Sequence, residues 1–349
     1  MAVKRIISFF VFALTLSAVG LAFAQSLHQP GVGTGPGVRY ATDAYPGFDD
    51  VPANTRPEVK KPRLFAWLNG PKASTAAEQY AWCRLRLAEG EYRAARKGFD
   101  ALVRQWPASP EAPLAQKDLA DLVFAHDRDC EQAFKEYCYL LDFYPSKCDF
   151  SSVAEDAYEM ARRMQREGKS IVFFRFANTV DVRRSFEALV MRVPGAEFVP
   201  QAMLTIASLR VDEGKFSEAV SVYENLRSIR PESDEAIESV GLEAEARLQL
   251  LRDHGYNRPR CLDTIAFLRQ SLEAYPSASW RERVGQILDD ARGQLEEEAF
   301  RSAKFYDSRT RTKRSAITAY EAFVRDYPAS VHVDEAVVRL KELKEEASK

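Results

Sequence analysis

Residues 214–231 read GKFSEAVSVYENLRSIRP and contain the pattern that indicates the fold class. Ala219, Tyr223 and Leu226 follow one another at steps of four and three, so they share one face of a helix. The glycine at the start suits a tight turn, and the proline at the end cannot continue a helix. The stretch therefore predicts a turn, a helix that packs a small and an aromatic side chain against a neighbour, and a stop.

The same register recurs at six prolines along the chain, which indicates an internal repeat. The prolines are Pro107, Pro145, Pro194, Pro231, Pro276 and Pro328. Twelve residues before them stand Ala95, Ala133, Val182, Ala219, Thr264 and Ala316. Eight before stand Phe99, Tyr137, Phe186, Tyr223, Leu268 and Tyr320, and five before stand Leu102, Leu140, Leu189, Leu226, Ser271 and Phe323. The repeats that end at Pro194 and Pro276 fit less well, and the unequal spacings indicate insertions.

Residues 75–349 are predicted to form one all-α repeat domain. From about Thr75, apolar residues recur at spacings of three and four residues, which is typical of a helix. Glycine and proline become sparse there, and strong helix formers dominate. Hydrophobic residues make up 46% of the chain, which excludes wholesale disorder. We expect about six helix–turn–helix units, stacked into a curved superhelix.

The first 74 residues are predicted to lie outside this domain. Lys4 and Arg5 precede an apolar run that ends in Ala22-Phe23-Ala24, which is typical of a signal peptide cleaved after residue 24. An uncleaved membrane anchor is the alternative, and both place the body of the protein outside the cytoplasm. Position 25 is Gln, not the Cys that a lipid anchor there requires. Residues 25–74 are predicted to be a flexible leader, because 25–62 contain five Gly and six Pro.

Composition and motifs favour a non-catalytic protein. The net charge of −2 gives no bulk attraction for nucleic acid. The four histidines form no metal-binding helix pair, and G-x-S-x-G and C-x-x-C are absent. We expect no enzyme activity, cofactor, metal site, nucleic-acid partner or small-molecule substrate.

The five cysteines are too few for a disulfide-rich scaffold. Cys130 and Cys261 stand fifteen residues before their prolines, at the position that Tyr92 and Phe216 hold in other repeats. Cys83 stands in the first helix, where the repeats favour a small residue. Packing explains all three, so burial is predicted for them. Cys138 and Cys148 leave two possibilities open. They are either free thiols or a disulfide that would link two repeats in an oxidising compartment.

The first candidate binding surface lies on the first predicted helix, where Tyr80, Arg84 and Leu87 follow at steps of four and three. A cation beside an aromatic and an aliphatic side chain suits an extended peptide and its carboxylate. The alternative is ordinary packing between helices, with one solvated arginine.

The second candidate surface is the basic segment, residues 301–314. Its cations are Arg301, Lys304, Arg309, Arg311, Lys313 and Arg314, against the single acid Asp307, a net +5. Four of them, Arg309, Arg311, Lys313 and Arg314, fall in the turn and start of the last repeat's second helix. Cations are unfavourable at a helix N-terminus, so local stability does not explain them. The segment is either a docking patch for an acidic partner or a solvated turn.

The best repeat resembles the tetratricopeptide repeat, with Gly214, Phe216, Ala219, Tyr223 and Leu226 at the matching offsets. The export signal, polar leader and repeats together resemble the BamD family of outer-membrane protein assembly factors over about residues 75–345. The segments that carry this resemblance are Arg104–Pro107, Asp142–Pro145, Glu273–Pro276, Arg325–Pro328 and residues 303–321.

That resemblance implies a periplasmic scaffold at the inner face of the outer membrane. It implies docking to a BamA-like barrel protein through the later repeats, and reception of unfolded outer-membrane protein segments by the earlier ones. This chain departs from the family in lacking the lipid-accepting cysteine. The alternatives are another periplasmic adaptor, acting in envelope or cell-wall maintenance, and an enzyme.

Overall fold

The computed structural model describes residue 48 and residues 60–61, 70–170, 179–253, 257–309 and 313–347. These ranges contain thirteen α-helices and no β-strand, which confirms the all-α prediction. The chain divides into two compact units, residues 1–209 and 210–349. The predicted signal peptide, residues 1–24, lies outside the described residues.

Unit 1, residues 1–209, contains six helices and most of a seventh. They are α1 Ala76–Ala88, α2 Tyr92–Gln105, α3 Glu111–Leu122, α4 Cys130–Phe143, α5 Phe150–Ser170, α6 Thr179–Arg192 and α7 Val199–Asp212. A π-helical turn, Val123–Asp127, follows α3. From α1 to α5, each helix packs on the next along the chain, and α1 also contacts α3.

Unit 2, residues 210–349, contains the end of α7 and six further helices. They are α8 Phe216–Ile229, α9 Asp234–Asp253, α10 Arg258–Ala274, α11 Arg281–Arg309, α12 Lys313–Asp326 and α13 Val333–Ala347. From α8 to α13, each helix packs on the next, and α9 also contacts α11. The predicted helical hairpins are therefore present in both units, and α13 follows the last of them. Their stacking into one superhelix stays a prediction.

The register read from the prolines coincides with the buried core. All eighteen side chains at the three repeat positions are at most 5% exposed, including those of the two repeats that fit less well. Ser271 occupies an apolar position of the fifth repeat. Its hydroxyl donates to the Phe267 carbonyl oxygen at 2.8 Å, so the polar atom is satisfied where it is buried.

Each of the six prolines stands two residues after the end of a helix and opens the same turn. In each turn, the carbonyl oxygen of the residue before the proline accepts a hydrogen bond. The donor is the N–H of the residue two positions after the proline. In the first repeat this bond joins Ser109 N to Trp106 O at 3.1 Å, and in the last it joins Ser330 N to Tyr327 O at 3.1 Å. Proline at the second position of a β-turn presets this geometry. A β-turn with the same hydrogen bond therefore connects each of these six helices to the helix that follows it.

The tight turns inside two hairpins depend on glycine. Gly90 and Gly214 have φ of 77° and 73°, in the left-handed region that favours glycine. The sequence places Gly214 in a turn, so that prediction is confirmed. Gly90 stands 17 residues before Pro107, as Gly214 does before Pro231. α2 and α8 begin two residues later, at Tyr92 and Phe216.

All five cysteines are free thiols in the structure. Cys83, Cys130 and Cys261 are buried, as the repeat pattern predicts. Cys138 is also buried, within α4, and Cys148 is half-buried in the loop before α5. Of the two possibilities left open for Cys138 and Cys148, the structure has free thiols.

Part of the predicted leader contacts the helices of unit 1. Lys60 and Lys61 belong to residues 25–74, yet their atoms bond to side chains of α2, α3 and α4. Composition does not predict these contacts, because a Gly- and Pro-rich stretch carries no periodic pattern that would mark a docked residue.

Candidate partner-binding surfaces

The α1 surface comprises Tyr80, Arg84 and Leu87. Thr75 begins the helix, since its hydroxyl accepts a hydrogen bond from the N–H of Glu78 at 3.2 Å. Arg84 is exposed, whereas Tyr80 and Leu87 are half-buried. The helix therefore presents a cation beside an aromatic and an aliphatic side chain, in the arrangement that the spacing predicts.

Asp118 of α3 joins Tyr80 to Arg84. The Tyr80 hydroxyl donates to Asp118 Oδ2 at 2.9 Å, and Arg84 Nη1 lies 3.3 and 3.2 Å from the two carboxylate oxygens. Burial, and after it the hydrogen bond to Asp118, raises the pKa of Tyr80 to about 12. The phenol therefore stays a donor at neutral pH, and two donors converge on one carboxylate.

Asp118 was not among the residues predicted from sequence. It stands 27 residues before Pro145, and Tyr80 stands 27 residues before Pro107. The two residues hold the same position in successive repeats, so aligning the first helices of the repeats is the signal that finds the pair. The Arg84 side chain remains 55% exposed beside Asp118.

A second set of ion pairs continues along the first helices of the next repeats. Lys117 of α3 lies 3.0 Å from Asp121 Oδ2, on its own helix, and 3.3 Å from Asp156 Oδ2 on α5. Tyr137 of α4 donates its hydroxyl to Asp121 at 2.7 Å. Burial, together with these carboxylates, raises the pKa of Tyr137 well above its usual range. Polar side chains thus connect α1, α3 and α5.

The basic segment, residues 301–314, spans the end of α11 and the start of α12. Arg311 and the side chain of Arg309 lie outside the described residues. Lys304 and Arg314 are exposed, and Arg314 lies in the first turn of α12, as the sequence predicts. The structure thus places these cations at one end of the last hairpin.

The last helix, α13, supplies carboxylates to this segment. Lys304 Nζ lies 2.7 Å from Glu335 Oε1, and Lys313 pairs with Glu346. Arg339 of α13 binds Asp307, the only acid of the segment, through Nε at 2.7 Å and Nη2 at 3.0 Å. The Arg339 guanidinium lowers the pKa of the Asp307 carboxyl. Cations of the segment therefore already have acidic neighbours in the chain.

Exposed apolar side chains accompany these charges on α11 and α13. Phe305 is 53% exposed and Val338 60% exposed, and Tyr306 and Val337 are exposed as well. Between α11, α12 and α13 lies an open cavity of about 560 Å³. Its lining includes Lys304, Asp307, Tyr320, Glu335, Val338 and Arg339. Large exposed apolar side chains beside charged ones are typical of protein-interaction surfaces.

Two further observations apply to the part of the chain that the structure describes. No group of three or more His, Cys, Asp or Glu side chains there is placed to hold a metal ion. None of the helices in that part has both the length and the apolar composition needed to cross a membrane.

Comparison with known proteins gives a distant structural similarity. No protein-family model and no curated protein matches the chain. Among solved structures, the chain is similar to a tetratricopeptide repeat protein from Parabacteroides merdae ATCC 43184. The similarity covers 77% of this chain and 98% of that one, with 12% identity and a TM-score of 0.29.

Proposed function

We propose that the protein is a non-catalytic scaffold of outer-membrane protein assembly, acting in the periplasm at the inner face of the outer membrane. Repeated helical hairpins are typical of proteins that bind other proteins through extended surfaces. The resemblance of the repeat ends to the BamD family supports the finer assignment. The observation that carries the proposal is the mixed surface of α11, α12 and α13, where exposed apolar side chains accompany the basic segment.

This α11–α13 surface is proposed to dock a BamA-like barrel protein. Phe305 and Val338 supply apolar area, and Arg314 supplies charge that suits an acidic partner surface. Rim charges of this kind act mainly on the rate of association and its salt dependence. We therefore expect the cations to speed docking and the apolar side chains to hold the complex.

Affinity purification from detergent-solubilised envelope tests the docking proposal. The tagged wild-type chain is expected to recover a BamA-like barrel. The double variant Arg311→Glu with Arg314→Glu is expected to recover less of the barrel, and the difference should be clearest at low salt. Arg93→Glu, a reversal at an exposed position of α2, is the matched control and is expected to behave as wild type. Absence of the barrel from the wild-type eluate contradicts the proposal and favours another periplasmic adaptor.

The α1 surface is proposed to receive unfolded outer-membrane protein segments. Arg84 remains more than half exposed while it contacts Asp118, so a peptide carboxylate can approach the same guanidinium. Asp118 then competes with the peptide carboxylate for Arg84, because one guanidinium group binds a single carboxylate best, in bidentate geometry. Leu87 offers a half-buried aliphatic contact beside it.

A peptide with the C-terminal residues of an outer-membrane barrel protein is the probe for this surface. Asp118→Asn is expected to tighten its binding severalfold, whereas Arg84→Ala is expected to weaken it. The same peptide with an amidated C-terminus is the control, because it lacks the carboxylate. Equal binding of the acid and amide forms contradicts the role of Arg84.

A further inference from the structure

The ammonium group of Lys60 lies in a pocket built by the first two repeats. Lys60 Nζ is 2.6 Å from Glu136 Oε2, 3.0 Å from Gln116 Oε1 and 3.4 Å from Asp100 Oδ1. The Tyr139 ring centroid lies 5.1 Å from the same nitrogen, within range of a cation–π contact. Only 10% of the Lys60 side chain is exposed. We call Asp100, Gln116, Glu136 and Tyr139 the Lys60 pocket.

The pocket is organised by bonds that do not involve Lys60. Gln116 Nε2 donates to Glu136 Oε2 at 2.7 Å, and Gln132 Nε2 donates to Glu136 Oε1 at 2.6 Å. Gln116 is fully buried, and Glu136 is 8% exposed. A carboxylate held at that depth needs a cation beside it, because burying an unpaired charge is strongly unfavourable. The arrangement therefore selects a positively charged group.

The same site also contacts the main chain on both sides of the Lys60 side chain. The Lys60 backbone N–H donates to the Tyr139 hydroxyl oxygen at 3.3 Å, and Arg104 Nη1 donates to the Lys61 carbonyl oxygen at 3.1 Å. Pro62 follows Lys61, and a residue before proline favours extended backbone. The Lys61 side chain is exposed. The contacts thus recognise a lysine side chain and the extended backbone beside it. They do not depend on the identity of the next side chain.

We propose that the Lys60 pocket is a binding subsite for an extended, lysine-bearing peptide segment, and that Lys60–Lys61 occupies it as a tethered competitor. Every group that holds Lys60 recognises an ammonium or a main-chain atom, which a lysine-bearing segment of a partner also carries. A tethered occupant has an effective concentration on the order of mM, so an incoming segment binds only as far as it displaces the leader. This proposal does not depend on the outer-membrane assembly role.

Peptide binding to the full chain tests the proposal. The probe is a fluorescein-labelled peptide of residues 57–64, PEVKKPRL, followed by fluorescence anisotropy at low salt. The open variant is Lys60→Ala with Lys61→Ala, in which no neighbouring lysine can take the vacated place. We expect it to bind the probe at least tenfold more tightly than the wild-type chain does. Lys61→Ala alone is the matched control and is expected to bind as wild type.

Two further measurements show whether the bound peptide occupies the pocket. Replacing the first lysine of the probe with glutamine is expected to weaken binding to the open variant at least tenfold. Asp100→Asn in the open variant, which leaves the bonded Gln116–Glu136 pair in place, is expected to weaken it severalfold. Circular dichroism and thermal unfolding establish that each variant is folded. If the open variant does not fold, the double variant Lys60→Gln with Lys61→Ala replaces it.

The opposite results overturn the proposal. If a folded open variant does not bind the probe, Lys60 is a structural contact only. Equal binding to wild type, Lys61→Ala and the open variant shows that the probe binds elsewhere. Equal binding of the lysine and glutamine probes removes the pocket's selectivity for an ammonium group.

Discussion

At the scale of single residues, close packing requires a glycine at position 98. Gly98 lies inside α2, where a Cβ would be 2.6 Å from Cys83 Sγ and 2.7 Å from Trp82 Cζ3 of the facing α1. Glycine in a helix interior ordinarily costs about 0.5–1 kcal/mol relative to alanine. The approach of α1 to α2 therefore explains why glycine occupies this position.

Alanine is predicted to have opposite effects at two glycines. Gly98→Ala should overpack the α1–α2 interface and destabilise the protein by about 1–2 kcal/mol after the helix-propensity gain is subtracted. Gly293→Ala in α11 should stabilise it by about 0.5–1 kcal/mol, because no atom lies within 4 Å of the added Cβ. Thermal unfolding measures both. A raised melting temperature for Gly98→Ala would show that the two helices do not approach so closely.

Thiol reactivity also follows from burial. Burial raises the pKa of Cys83 and of Cys138 to about 12, so at pH 8 both are almost wholly protonated and unreactive. Cys148 is half-buried, and burial raises its pKa as well. We expect a disulfide reagent at pH 8 to label Cys148 first and to reach all five thiols only on unfolding. Labelling of Cys148 that requires prior reduction would indicate a disulfide with Cys138.

At the scale of elements, the sequence predicts the features that recur in every repeat. It does not predict the side-chain contacts that join one repeat to another. The proline register located six helix ends and eighteen buried positions because these depend on periodicity within one hairpin. The pairing of Arg84 with Asp118 depends on the distance between α1 and α3, which no period within one helix reveals. The Lys60 pocket takes its side chains from three helices and holds a leader residue, so no local sequence pattern marks it.

The last helix, α13, covers the core of the final hairpin. Leu343 is 1% exposed and packs in a cluster with Phe300, Tyr320 and Phe323. Leu343→Ala is therefore predicted to cost about 2–5 kcal/mol, because it removes buried methyl groups and leaves a cavity. Val338→Ala is the matched control on the same helix. Val338 is 60% exposed, so its truncation should change stability by less than about 0.5 kcal/mol.

Thermal unfolding of the two α13 variants decides whether this helix is part of the folded core. A clear fall in the melting temperature for Leu343→Ala, beside an unchanged value for Val338→Ala, is the expected result. If both variants melt as the wild type does, α13 does not stabilise the hairpin that it covers.

At the scale of the whole molecule, contacts are made mainly between neighbours in sequence. Among the described residues, each helix packs on the next from α1 to α6 and from α8 to α13, and a few reach the helix after that. In such arrays stability is approximately a sum of terms for each repeat and for each neighbouring interface. A local defect should therefore loosen its own repeat and the adjacent one before it affects distant repeats.

Hydrogen exchange measured by mass spectrometry tests this locality on variants at opposite ends. Gly98→Ala should speed exchange in peptides from α1 to α4 and leave α11 to α13 as in the wild type. Leu343→Ala should do the reverse, because its cavity lies in the core of the last hairpin. Gly293→Ala adds no contact and should not speed exchange in any helix, so it controls for acceleration caused by substitution alone. Equal acceleration in all helices for either destabilised variant would mean that the repeats unfold as a single cooperative body, and that neighbour-by-neighbour packing does not govern their stability.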